Sequence, residues 1–247
     1  MTTLPDTADP SVAEAILGEA GHNQPAELTL LMHGDEFDTW KVGDSMVVKF
    51  ARTDEIAGKV ERERGATPLF RQRLGELVPA VVFESDPVSS FPYPFLGWEP
   101  ARGVQAQSLS GTFAVPPRSA VPTLVEHVAF VIGSIHAIPT RTARAHGLET
   151  EDASEERPFT PDAATVERVR SVIGDAIERF LDQPSPPGFA RSVTCHRDLK
   201  GEHIFLSPSL DKVMSLIDWA DACVTDAAHD IAGIAICRGP SFARAVV

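Results

Sequence analysis

Positive charge is scarce in this sequence. Lysine and arginine number 22 against 35 aspartates and glutamates, a net charge of −13 at pH 7. A chain of that balance offers no basic face to a phosphate backbone, which excludes nucleic acid as the main partner. It suits a cationic small molecule, although acidic surfaces serve solubility just as well. Cysteine is sparse too: Cys195, Cys223 and Cys237 make an odd count with no C-x-x-C pair. That argues against a disulfide framework and for a reducing compartment, with the thiols used as small apolar residues. No long apolar run is present. The most apolar stretch, 123–138, carries Glu126, His127 and His136 and is too short and too polar to span a bilayer. Residues 1–10 lack the basic start and apolar core of a signal peptide, so a cytoplasmic protein with no membrane partner is expected.

What the chain does contain is room for a core: 247 residues, of which 43% are hydrophobic. Ser11 and Glu14 read as a capping box opening a short helix over 12–20. Apolar runs at 28–32, 37–42 and 45–51, separated by turn residues, read as three strands of an antiparallel meander. The first break, His33-Gly34-Asp35-Glu36, has one glycine where nucleotide loops usually have two or three, so a plain turn explains it equally well. In the third strand, Val47-Val48-Lys49-Phe50, alternation places Lys49 on the face of Val47. A lysine pointing inward is costly unless it meets an anion; a solvent-facing lysine is the other reading. Helical spacing follows over 54–74, with Pro68 expected to kink or divide it. Glu61 and Glu63 lie on that helix, and Glu63 is favoured as the partner of Lys49 because the apolar half follows it.

A strand is expected at 80–84. The segment 91–100, Phe-Pro-Tyr-Pro-Phe-Leu-Gly-Trp-Glu-Pro, reads as an extended hinge whose backbone suits a purine. Residues 101–122 form a small, proline-rich connector, 124–138 a helix stopped by Pro139, 140–161 an exposed acidic loop and 163–181 a second long helix. The chemistry concentrates in the segment that follows. Cys195-His196-Arg197-Asp198-Leu199-Lys200-Gly201-Glu202-His203 comes after a short apolar run, and Asp218 comes after another, Val213 to Ile217. Two carboxylates held at strand ends suit a metal-assisted transfer: one orients a nucleophile and the other binds the cation. An H-x-D loop followed by a strand and a second Asp is the layout of a kinase catalytic loop. The segment after Asp218 has no D-F-G and no A-P-E, which argues against a protein kinase.

Together with L-I-D-W-A-D-A and D-A-A-H-D-I-A, these motifs resemble the aminoglycoside and macrolide phosphotransferases, small-molecule kinases with a protein-kinase-like fold. The resemblance covers most of the chain. It implies a two-lobed α+β fold. An N-terminal nucleotide-binding lobe over 1–97 would hold an antiparallel sheet plus a helix. A mainly helical catalytic lobe over 98–247 would end earlier than in relatives. It implies a transfer of the γ-phosphoryl of ATP or GTP, with Mg²⁺, to a hydroxyl of a small molecule such as an aminoglycoside or macrolide. By the same resemblance Lys49 and Glu63 serve the nucleotide phosphates, Gly97, Trp98 and Glu99 meet the base, Asp198 takes the acceptor proton and Asp218 holds Mg²⁺. Asp230 braces the catalytic loop, and His196 is structural. Lys200 reads either as a γ-phosphate contact or as a surface lysine. His203 stands where many relatives carry Asn; it reads as a second metal ligand or as a hydrogen-bonded loop histidine. A non-catalytic nucleotide binder and a kinase of sugars or amino alcohols are the rival readings.

Overall fold

The computed structural model describes residues 4–23, 26–108, 110–151, 163–174 and 192–247. Strands β1 (Leu28–His33), β2 (Phe37–Val42) and β3 (Met46–Ala51) form the expected meander. Strands β4 (Val81–Ser85) and β5 (Phe95–Trp98) complete a five-stranded antiparallel sheet in the order β1-β2-β3-β5-β4. Here the hinge expectation needs correcting. Phe95–Trp98 is an interior strand of the sheet, fully buried, and the connection begins only after it. The prolines at 92, 94 and 100 lie outside β5, so no ladder hydrogen bond is lost to them.

Helix α1 (Pro10–Glu19) packs Ala13, Ile16 and Leu17 against this sheet. Its cap is Asp9, whose carboxylate accepts from the Ser11 N–H at 2.8 Å; the expected Ser11–Glu14 box is therefore displaced, because Pro10 already supplies the first helical φ. Helix α2 (Asp54–Leu74) is capped by Thr53 and runs unbroken through Pro68. The Thr67 hydroxyl donates to the Glu63 carbonyl at 2.7 Å just before the proline, and Ala66, Leu69 and Phe70 are buried on both sides of it. Packing of that kind outweighs the one backbone bond the proline removes.

Helices α3 (Val121–His136) and α4 (Thr140–Ala145) follow. Helix α4 occupies the start of what the sequence suggested was an exposed loop; its Ala143 is fully buried. Helix α5 (Ala163–Ile173) begins where expected, and the rest of that expected helix lies outside the described residues. Two small sheets carry the catalytic segment. Strand β7 (Ser192–Cys195) pairs with β10 (Cys223–Asp226), and the short β6 (Val104–Gln105) joins β8 (Ile204–Leu206) and β9 (Val213–Leu216). Helices α6 (Ala228–Arg238) and α7 (Pro240–Val246) close the described chain.

Buried apolar residues form two clusters. One joins α1, the five-stranded sheet and the first half of α2. The other joins the second half of α2 with α3, α4, α6 and the small sheets. Helix α2 therefore belongs to both, and the cleft between them is where the functional side chains meet. All three cysteines are free and buried. Burial pushes the Cys195 thiol far up and that of Cys223 up to about 12, so neither is a nucleophile near neutral pH. Among the described residues no helix is long and apolar enough to cross a membrane.

Candidate active site

The site is built from two tight bends, each at the end of a strand. After β7 the chain turns at Arg197, whose φ of +70° lies in the left-handed region. After β9 it turns at Asp218 with φ +69°. Such backbone is costly for any residue but glycine and persists only where neighbours hold it. At the first bend the holder is Asp230 on α6, which is fully buried. Its carboxylate accepts from the N–H of His196 at 3.2 Å and of Arg197 at 2.8 Å. It also meets His136 Nε2, at the end of α3, at 3.0 Å.

His196 is buried beneath the second bend. Its Nε2 lies 3.0 Å from the Ile217 carbonyl, to which it donates, and its ring packs 4.4 Å from that of Trp219. Burial holds its pKa below the ordinary histidine value, so it is a neutral, structural imidazole.

His203 links the two acids. Its Nδ1 is 2.8 Å from the Asp198 carbonyl oxygen and donates to it. That leaves the Nε2 lone pair facing Asp218 Oδ2 at 3.4 Å. Asp198 itself lies one-third exposed, with Lys200 Nζ 3.0 Å from Oδ2. Lys200 also meets Glu202 at 2.9 Å and is more exposed than either acid it touches.

Across the cleft, Asp218 Oδ1 is 3.3 Å from Lys49 Nζ. Lys49 in turn is 3.5 Å from Glu63 Oε2, and Glu63 Oε1 accepts from the Trp219 N–H at 3.3 Å. The acid that faces the cleft is Glu63, 3% exposed, while Glu61 pairs with Arg64 on the solvent side. The rings of Phe37 and Trp98 flank the ammonium, with centroids at 5.5 and 5.3 Å.

Burial opposes the charge on Lys49, but Asp218 and Glu63 outweigh it and raise its pKa above the usual lysine value. For Asp218 burial is likewise outweighed, chiefly by the Lys49 ammonium, and its pKa is held well down. Burial and the neighbouring Asp218 raise the pKa of Glu63. Asp218 thus carries the firm negative charge of the pair. Lys49 is therefore a buried ammonium held between two carboxylates at 3.3 and 3.5 Å.

The proposed base-binding residues divide. Trp98 faces Lys49. Gly97 is required by packing, since a Cβ there would strike the Met46 side chain. The Glu99 side chain turns the other way: its carboxylate accepts from the Ala80 N–H at 3.1 Å and pairs with Arg71 at 3.6 Å. Its own N–H is bonded to the Ala80 carbonyl at 2.9 Å.

Asp218 and His203 together offer an oxygen and a nitrogen at the distance of a shared cation. Mg²⁺ needs few protein ligands beside phosphates and water and prefers oxygen, so Asp218 fits it, while the His203 nitrogen is the poorer donor of the two. A second cluster, His136, Cys195 and Asp230, also has metal-ligand atoms close together. It is a poor cation site, because Asp230 already serves two N–H groups and the thiol stays protonated.

Two contributors escaped sequence reasoning. His136 was visible only as a helix end, and nothing local in the sequence links it to Asp230. Phe37 was visible only as a strand residue. Its position directly after a turn and across the sheet from Lys49's strand was the available signal.

Comparison with known proteins shows the family and the fold. Residues 27–247 match the family described as "Phosphotransferase enzyme family". No curated protein matches the sequence. Among solved structures, the GDP and kanamycin complex of an APH(2")-III aminoglycoside phosphotransferase superposes with a TM-score of 0.74 at 19% identity, covering 95% of this chain and 80% of that one. A macrolide 2'-phosphotransferase type I gives 0.68 at 24% identity, covering 100% and 82%. The streptomycin–ATP–APH(2")-IIa ternary complex gives 0.62 at 17%, covering 100% and 84%. At these identities the likeness is one of fold: a kinase-like fold with an antiparallel N-terminal sheet plus helices. The family match carries the identity, and the chain belongs to the phosphotransferase enzyme family.

Proposed function

We propose that the protein moves the γ-phosphoryl group of ATP or GTP to a hydroxyl of a small molecule, and that the acceptor is a cationic antibiotic of the aminoglycoside or macrolide kind. The observation that carries the donor half is Lys49: a buried, charged ammonium held between Asp218 and Glu63 and flanked by the rings of Phe37 and Trp98. An anion is the ligand such a group is built for, and nucleotide phosphates supply one. The acceptor half rests on the fold neighbours, which were solved with kanamycin or streptomycin beside GDP or ATP, and on the net charge of −13.

On this reading Lys49, fixed by Glu63, neutralises the phosphates. Trp98 and the backbone at Gly97 and Glu99 line the base. Asp218, with His203 beside it, would hold Mg²⁺, which when bound would draw charge from the phosphate oxygens. Asp198 accepts the proton of the acceptor hydroxyl and orients its oxygen for in-line attack. Lys200, tied to Asp198 and more exposed, stands where it can meet the transferred phosphoryl group. Asp230 and His196 fix the bends that place the two acids. The nucleotide-binding part is 1–97 and the catalytic part 98–247.

Titrating the protein with Mg-ADP tests the donor half. Lys49→Ala should weaken binding by about tenfold or more, the scale of one lost charge-assisted phosphate contact. Unchanged affinity would place Lys49 outside the nucleotide site.

A further inference from the structure

An ion bridge beside the site is used by none of these roles. Lys59 on α2 holds Glu36, in the turn between β1 and β2, through both carboxylate oxygens at 2.8 and 3.1 Å. The same ammonium lies 3.4 Å from Asp221 Oδ1, in the segment that follows Asp218. The turn is anchored elsewhere as well. The Arg52 guanidinium donates to the Gly34 carbonyl, the Arg52 N–H to the Glu36 carbonyl at 3.0 Å, and His33 meets Asp38 at 2.7 Å across the hairpin base. Phe37, next to Glu36, is one of the two rings flanking Lys49. On its other side the bridge continues a row of contacts between α2 and the Asp218 segment. Glu63 takes the Trp219 N–H at 3.3 Å, Arg62 Nε donates to the Ala220 carbonyl at 3.2 Å, and Lys59 meets Asp221.

We propose that Lys59 is a positioning residue for phosphoryl transfer: by bridging Glu36 and Asp221 it ties the β1–β2 turn to the segment carrying Asp218 and holds that turn over the phosphate end of the cleft. The inference rests on the nucleotide reading given above. A chance surface pair would be largely open to water, but the Lys59 side chain is only 17% exposed. Burial works against its charge, and Glu36 and Asp221 more than restore it. The contrasting role is direct phosphate binding by Lys59. In that case Glu36 and Asp221 would compete with the ligand, and neutralising them would tighten nucleotide binding.

The test uses the full chain as wild type, Lys59→Met, Lys59→Arg, Glu36→Gln and Asp221→Asn, with two readouts. One is the nucleotide KM and kcat; the other is amide hydrogen exchange across 34–37 with no nucleotide present. The bridge predicts a KM raised about fivefold in Lys59→Met and Glu36→Gln, the scale of a partly exposed ion pair, with kcat little changed. It predicts faster exchange in the turn, near-wild-type values in Lys59→Arg, and no further loss when Lys59→Met and Glu36→Gln are combined. Tighter nucleotide binding in Glu36→Gln and Asp221→Asn would overturn it, as would unchanged exchange at 34–37 in Lys59→Met. The exchange arm needs no nucleotide. A wild-type protein that bound none would sink the nucleotide reading, while exchange still decided whether the bridge holds the turn.

Discussion

Asp198 is placed by a residue it never touches. The bend before it puts Arg197 in left-handed backbone, which costs a non-glycine residue about 1–2 kcal/mol. Asp230 offsets that cost by accepting both N–H groups of the bend while buried itself. Replacing Asp230 with Ala would orphan two buried donors and His136, so thermal unfolding should show a loss of about 2–5 kcal/mol. Asp230→Asn, which keeps one acceptor oxygen, should lose less. Equal stability of Asp230→Ala and wild type would mean the bend is held some other way. At this scale the sequence was most informative where a residue type is out of place: a lysine in a β-branched strand, or two acids just past apolar runs. Side-chain direction was legible only inside a strand, where alternation set the face of Lys49. Glu99 follows directly after Trp98 in the chain, yet one faces Ala80 and Arg71 and the other Lys49.

Helix α2 is the element on which the site depends. It contributes Glu63 to the site and Lys59 to the ion bridge beside it, and spans both apolar clusters. Its second half is fastened by Phe70, which is fully buried and stacks on Trp219 at 4.0 Å with the planes 20° apart. The residue before Trp219 is Asp218, so this stack holds the Asp218 bend against the helix. Phe70→Ala should cost about 3–5 kcal/mol, read from a chemical denaturation curve. It should also weaken Mg-ADP binding, since the bend loses its support. Full stability in that variant would show that the stack is incidental. The limits of α2 were legible from its helical spacing, and the structure adds Thr53 as its N-cap and Gly75 at its end. Pro68 pointed to a break, and only the burial on either side of it shows why none occurs. Helix α4 was hidden because a single helical turn and a half has too little periodicity to stand out from polar loop.

For the whole molecule, strands β1 to β4 could be read in sequence, but β5 was hidden in an expected hinge and the order of the sheet could not be read. Strand β5 enters between β3 and β4, a non-local pairing that no run of residues encodes. That insertion sets Trp98 beside Lys49 and lets the chain leave the sheet at the mouth of the cleft. The pattern of motifs, by contrast, was legible across most of the chain, because phosphoryl transfer needs a cation, a metal carboxylate and a base in a fixed order of supporting elements. Asp198 is the residue on which the catalytic reading turns. The direct test is release of nucleoside diphosphate by the purified protein with Mg²⁺ and ATP or GTP, with and without a panel of aminoglycosides and macrolides, beside Asp198→Asn. The account predicts release stimulated by an acceptor and reduced about 100-fold or more in Asp198→Asn, with Mg-ADP affinity kept within a few-fold. Acceptor-stimulated release that survives in Asp198→Asn, or no release from wild type with any acceptor although nucleotide is bound, would contradict it.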